Sequence, residues 1–255
     1  LSLELGSLPA HEFSKINSFF AYNRIHSYDL ICFSETFLDS SFTDDDRNLI
    51  LNGYKLYRAD HPSNTKKGGV CVYVKESLAI RLVPLQILDE CIVLEVTINN
   101  KKGIISSLYR SPSQTADEFD QFIDNLDELL QSIRLLNPSF TILLGDFNAK
   151  SSAWSSTDPT TNEGHMLESL ASFYGLSQLI KDPTHILPTS SSCIDLIFTD
   201  QTSIIRNSGV HSSLHPNCHH QIIFCQLNLK MYYPPPYERV VWNYDKANIG
   251  LISRA

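Results

Sequence analysis

The chain lacks any apolar run of about 18 residues, so none of it reads as a membrane-spanning helix. It lacks a basic start followed by an apolar core, so no secretory signal is legible. It lacks Cys-x-x-Cys pairs. Cys32, Cys71, Cys91, Cys193, Cys218 and Cys225 are scattered, and four of these six lie in apolar, strand-like runs where a thiol acts as a small hydrophobe. That pattern reads as a reducing compartment without a disulfide framework. Positive charge is also short: 20 Lys and Arg stand against 28 Asp and Glu, giving a net charge of −8. Such a balance excludes gripping nucleic acid by bulk charge, although a bound divalent cation and a local basic rim can offset carboxylates. No repeat is present, and the start at Leu1 rather than Met reads as a piece of a longer polypeptide.

What the chain does have is a series of short apolar runs that end in polar residues. The clearest is Thr141-Ile-Leu-Leu-Gly-Asp-Phe-Asn-Ala149, a buried strand broken by glycine. Residues just past such a strand lie where open α/β sheets bind ligands. If the extended geometry persists, Asp146 and Asn148 point to one side and offer a carboxylate and an amide to one hard cation or phosphate. Residues 29–35, 69–74, 91–98, 103–109, 193–199 and 221–227 read as further strands, several of them rich in β-branched residues. Helices are expected over 12–27, 113–137 and 164–174. The second carries an apolar stripe from Ala116 through Phe119, Phe122, Ile123, Leu126, Leu129, Leu130 and Ile133. Strands outnumber helices and several follow one another directly, which predicts sheets that are mixed or partly antiparallel.

Glu35, Tyr109, Asp146, Asn148 and Asp195 fall at or near strand ends, and His219 and His220 precede the last strand. Each is ordinary alone, because strand ends are polar and Asp and Asn form turns. Together they make a carboxylate-rich site with a histidine, the donor set of magnesium and phosphate chemistry. His211, His215, Cys218, His219 and His220 also permit a zinc reading, but their spacing matches no standard pattern. It ranks second to a histidine-rich rim. Lys66, Lys67, Arg110 and Lys150 are candidate phosphate contacts, with a solvated surface charge the commoner role for each.

In this order, Ser34-Glu-Thr36, Leu108-Tyr-Arg110, Gly145-Asp-Phe-Asn148 and Cys193-Ile-Asp-Leu196 resemble the endonuclease/exonuclease/phosphatase superfamily. More closely, they are similar to the endonuclease domain of LINE-type non-LTR retrotransposons. Leu38, Gly68-Gly69-Val70 and Asp182-Pro-Thr184 add to a resemblance that spans roughly residues 1–230. It implies an α/β (α+β) four-layer sandwich, with two mixed sheets face to face, helices outside and a site at one end. It also implies Mg2+ or Mn2+ as cofactor and DNA as substrate. The reaction would be a nick leaving a 3′-hydroxyl, from which reverse transcription is primed. Carried over by position, Glu35 would hold the metal and Asp146 would position or deprotonate the attacking water. Asn148 would bond the phosphate and Tyr109 would contact the scissile phosphate. His220, oriented by Asp195, would stabilise the phosphorane or move a proton. A metal and a protonated histidine are suited to the charge that develops in phosphodiester hydrolysis.

The chain departs from the pattern twice. Where the family has Ser-Asp-His before the last strand, it reads Cys218-His219-His220; where the first strand carries asparagine, it offers Glu4. Glu4 and His219 therefore join Glu35 as metal-ligand candidates and predict an impaired enzyme, since losing one helper group costs roughly 10²–10⁴-fold. The other readings are a phosphoesterase for lipid or inositol phosphates and a catalytically decayed DNA-binding module. Tyr232-Tyr-Pro-Pro-Pro-Tyr237 cannot sit inside a sheet, so residues 231–255 read as a linker toward a downstream reverse transcriptase domain. Without a targeting signal, the nucleus is expected from function and the cytoplasm otherwise; no membrane partner is expected.

Overall fold

The computed structural model describes residues 3–9 (as backbone), 28–47, 49–63, 67–98, 100–213 and 218–228. The helix expected over 12–27 and the linker expected over 231–255 lie outside them. In chain order the first strands are β1 (Leu3–Pro9), β2 (Leu30–Ser34), β3 (Tyr54–Ala59), β4 (Val70–Lys75), β5 (Ile80–Leu82), β6 (Cys91–Ile98) and β7 (Lys101–Tyr109). Helix α1 (Ala116–Leu135), β8 (Phe140–Asp146) and helix α2 (Asn162–Phe173) follow. The chain continues through β9 (Ser177–Gln178), β10 (His185–Leu187), β11 (Ser190–Ser192), β12 (Asp195–Thr199), β13 (Ile205–His211) and β14 (Ile222–Leu227).

The first sheet has the order β13-β14-β1-β2-β4-β3 and the second β5-β6-β7-β8-β12-β9, with β10 and β11 forming a separate hairpin. β1 with β2 and β7 with β8 are parallel, while the other pairs run antiparallel, so both sheets are mixed as expected. A parallel pair needs a crossover, and α1 supplies it between β7 and β8. The fold is an α/β sandwich.

Strand alternation builds the layers. Leu30 and Cys32 of β2 and Val70, Val72 and Val74 of β4 join the large core shared with the second sheet. Ile31, Phe33, Cys71 and Tyr73 on the opposite face pack a second core with Tyr28 and Ile222. Being apolar on both faces, these strands read as continuous hydrophobic runs. Helix α1 buries Phe119, Phe122, Leu126, Leu129, Leu130 and Ile133 against the large core. It begins at Ala116 rather than 113 because Thr115 closes a capping box. Its hydroxyl accepts from Glu118 N at 3.3 Å, and the Glu118 carboxylate accepts from Thr115 N at 2.7 Å. The sequence reading passed over β3 and β13, edge strands whose half-exposed, polar-rich patterns weaken the hydrophobic signal. All six cysteines are free and buried. Among the described residues no helix is long and apolar enough to cross a membrane.

Candidate active site

Strand register assembles the site. Tyr109 at the end of β7 lies opposite Asp146 at the end of β8, and Asp195 at the start of β12 lies opposite the same Asp146. Directly opposed residues share a sheet face, so the three form one row across the second sheet. The first sheet contributes Glu35, the residue after β2, and His220, just before β14.

His220 Nδ1 stands 3.0 Å from Asp195 Oδ2, and ligand atoms of Asp146, Asp195 and His220 all lie within 4.8 Å of one another. Burial would lower the His220 pKa, but the charge and hydrogen bond of Asp195, then Asp146 and Glu35, push it up to about 9. Burial and the nearby Asp195 hold Asp146 well above the usual aspartate range, against the opposing pull of His220 and the Asn148 N–H. Glu35, Asp146 and Asp195 gather around one imidazole, an acidic set whose ionisation a divalent cation would favour. Asp195 Oδ1 adds a buried oxygen with no hydrogen-bond partner among the described residues. The oxygen-rich set fits a hard cation such as Mg2+ or Mn2+. A doubly protonated imidazole has no lone pair to give a metal. While it keeps both protons, His220 presents positive charge at its end of the site, and the carboxylate of Glu35 lies toward the other.

Glu35 sits in the left-handed region, φ 52°, a strained conformation of the kind that clusters at functional sites. Its Oε1 accepts the Tyr109 hydroxyl at 2.7 Å. Burial, then the Glu35 charge and hydrogen bond, raise the Tyr109 pKa, so the phenol keeps its proton. Tyr109 and Glu90 also line a cleft of about 430 Å³, with His61 and Gln114 on its walls.

Several residues stand differently from the sequence expectation. The chain leaves extended geometry after β8, with Asn148 at φ 48°, so alternation does not put it beside Asp146. Instead Asn148 N donates to Asp146 Oδ1 at 3.0 Å and its Nδ2 to the Arg110 carbonyl at 2.8 Å, and the side-chain amide has one further N–H to offer. Arg110 is no surface phosphate contact. It is buried, and its guanidinium donates to the carbonyls of Phe147 at 2.5 Å and Asn148 at 2.6 Å, bracing the turn from within.

Glu4 is not brought to the site by the strand register. Pro9, not Glu4, lies opposite Ser34 next to Glu35, which leaves Glu4 five residues away along β1, roughly 16 Å at about 3.3 Å per residue. His219 is exposed and lies edge-on to His185, with ring centroids 6.1 Å apart, outside the Asp146, Asp195 and His220 group. Of the zinc set, His211 stacks on Phe224, Cys218 donates its thiol to the His220 carbonyl, and His215 lies outside the described residues. Lys67 is exposed and Lys150 half-buried, while Lys66 lies outside the described residues.

Two neighbours were legible only as fragments. Thr184, quoted merely as part of Asp182-Pro-Thr184, is fully buried, and its hydroxyl accepts from Ile194 N and Asp195 N, both at 3.0 Å. His185 packs against His220 with centroids 4.6 Å apart; burial, then the His220 charge, lower its pKa, so a neutral ring adjoins a charged one. A Thr184→Val substitution keeps the shape and strands both N–H groups. Urea unfolding is expected to show a loss of about 1–3 kcal/mol, and nicking is expected to fall roughly tenfold to a hundredfold as Asp195 shifts. Unchanged stability would deny Thr184 this role.

The chain is a layered α/β sandwich with acidic and histidine residues gathered at one end of its sheets. The Endonuclease/Exonuclease/phosphatase family model matches residues 16–230, and the chain belongs to that family. Among solved structures it is similar to the endonuclease domain of TRAS1, a telomere-specific non-LTR retrotransposon, at a TM-score of 0.71 and 14% identity, covering 90% of this chain and 99% of that one. It is also similar to the AP endonuclease LMAP from Leishmania major, at 0.73 and 10% identity, covering 89% and 87%. The Xenopus laevis APE2 catalytic domain matches at 0.67 and 14% identity, covering 91% and 94%. No curated protein sequence matches the chain.

Proposed function

We propose that this chain is a divalent-metal-dependent DNA endonuclease that hydrolyses one phosphodiester bond and leaves a 3′-hydroxyl nick, as in target-primed retrotransposition. The observation that carries this reading is the row of Tyr109, Asp146 and Asp195 facing Glu35 and His220. When bound, Mg2+ or Mn2+ neutralises charge on the phosphate oxygens. The chain's own residues do the rest. Glu35, held by the Tyr109 hydroxyl, is the ligand for the cation. Asn148 donates its amide N–H to a phosphate oxygen. Asp146, whose carboxylate is made more basic by burial, takes a proton from the attacking water. The water oxygen joins phosphorus as the bond to the 3′ oxygen breaks, and the departing 3′ oxygen takes a proton from solvent, giving a 3′-hydroxyl and a 5′-phosphate. His220, protonated and pinned to Asp195, offsets the extra charge of the phosphorane. His219 and Glu4 take no part, so neither departure impairs the chemistry. Chromosomal DNA as substrate puts the work in the nucleus, with residues 231–255 leading toward a reverse transcriptase in the parent polypeptide.

The test is a supercoiled plasmid. Nicking is expected with Mg2+, is abolished by EDTA, and yields ends that a DNA polymerase extends without phosphatase treatment. Phosphate release from inositol phosphates without nicking would point to a phosphoesterase instead. DNA binding with neither activity would mark a decayed module.

A further inference from the structure

A closed ring of contacts around Glu35 passes through Glu90, which lies just ahead of β6. The turn Gly68-Gly69 precedes β4, and its carbonyls accept from the backbone on the far side of Glu35: Phe37 N donates to Gly68 O at 2.9 Å and Thr36 N to Gly69 O at 3.2 Å. The turn itself is held from the other sheet, because Gly69 N donates to the Glu90 carboxylate. The Glu90 carbonyl in turn accepts from Tyr109 N at 3.0 Å, and the Tyr109 hydroxyl donates to Glu35 Oε1 at 2.7 Å. The ring thus runs from Glu35 through the glycine turn, Glu90 and Tyr109 back to Glu35.

Both glycines are required by this arrangement. Gly68 and Gly69 have φ of 50° and 84°, a left-handed pair that other residues resist. A Cβ on Gly68 would lie 2.0 Å from the Glu90 carboxylate, and one on Gly69 would lie 2.6 Å from Thr36 Oγ1. The turn is therefore pressed between Glu90 on one side and the Glu35 segment on the other. Glu35 has little freedom to move while the turn stays in place.

We infer that Glu90 is a positioning residue for the metal ligand Glu35, acting through the Gly68-Gly69 turn and through Tyr109 rather than by touching the cation. The inference rests on the reading that Glu35 holds the divalent ion. The role belongs to Glu90 as an acceptor for Gly69 N–H, not as a charge. Glutamine keeps an acceptor oxygen at the same reach and alanine does not. Outer groups that orient a ligand are typically worth about 10- to 100-fold in metal affinity.

The experiment measures Mn2+ binding by isothermal titration calorimetry for the wild type, Glu90→Gln, Glu90→Ala and, as reference, Glu35→Gln, with a melting curve for each. Glu90→Ala is expected to bind Mn2+ at least tenfold more weakly than the wild type, and Glu90→Gln within about twofold. Equal losses in Glu90→Gln and Glu90→Ala would overturn the inference by making the Glu90 charge itself a ligand. Unchanged affinity in Glu90→Ala, with or without a lower melting temperature, would overturn it by leaving only a structural part. Wild-type binding that Glu35→Gln does not weaken would overturn the reading of Glu35 and this inference with it.

Discussion

Replacing Asp146 with asparagine is expected to lower nicking by roughly 10²–10⁴-fold and, at the same time, to raise the melting temperature of the metal-free protein. The two effects share one cause. Asp146 is fully buried beside Asp195, and burial and that neighbouring charge oppose its ionisation. Chemistry needs the carboxylate, but the metal-free fold does not. Asparagine keeps an oxygen to accept from Asn148 N, as Asp146 Oδ1 does at 3.0 Å. It also brings an amide N–H into a group where Asp195 Oδ1 has no partner among the described residues. The gain should appear as a higher melting temperature, at about 2–4 °C for each kcal/mol in a domain of this size.

The pH dependence has a definite sign. At pH well below 3.8, the ordinary aspartate value, the carboxyl is protonated whether folded or unfolded, and the part of the difference that comes from its ionisation vanishes. As pH rises toward the raised folded-state value, the wild type loses stability relative to the variant. Melting curves in EDTA across this range, beside plasmid nicking in Mg2+, test both halves. A variant that is inactive and also less stable near neutral pH would contradict the account.

Gly145→Ala is expected to have the largest effect on folding. Gly145 lies between Leu108 of β7 and Leu196 of β12 in the middle of the second sheet. A Cβ there would meet the Leu108 carbonyl oxygen at 1.8 Å, with φ at 149°. The obstacle is backbone, so no rotamer change relieves it and the β7–β8 pairing must open. A loss of roughly 3–5 kcal/mol is expected, a large share of a typical domain's stability of about 5–15 kcal/mol. Gly53→Ala is the control. Gly53 has φ 82° but nothing within 4 Å of its Cβ position, so only backbone strain of about 1–2 kcal/mol should appear. Urea unfolding of both variants decides the matter, and similar losses would remove the clash from the explanation.

How much of this was legible in the chain depended on the range of the cause. The strand into Asp146, the stripe of α1 and the polar residues at strand ends are local patterns of two or three residue types, and each marked its element. The row of Tyr109, Asp146 and Asp195 was not local. It comes from the register of three strands, which one sequence does not disclose. Glu4 shows the same limit from the other side: a motif match put it beside Glu35, and the pairing of Pro9 with Ser34 puts it at the far end of β1. Arg110 looked like a surface cation because charge alone says nothing of burial. Glu90 gave no sign at all, being one of a pair of acidic residues, Asp89 and Glu90, ahead of a strand.

The division of the site between two sheets has a consequence for when the protein becomes active. Glu35 and His220 belong to one sheet, and Tyr109, Asp146 and Asp195 to the other. His220 lies just before β14, which inserts between β13 and β1 and so pairs the last described strand with the first. A nascent chain that has already completed β1 through β12 therefore has neither its imidazole nor the strand that closes the first sheet. Pairings between such distant segments are slow to form. A chain that stops before the end of β14 would therefore carry the acidic row of the second sheet without its imidazole partner, and on the proposed function such a truncated product would leave DNA intact.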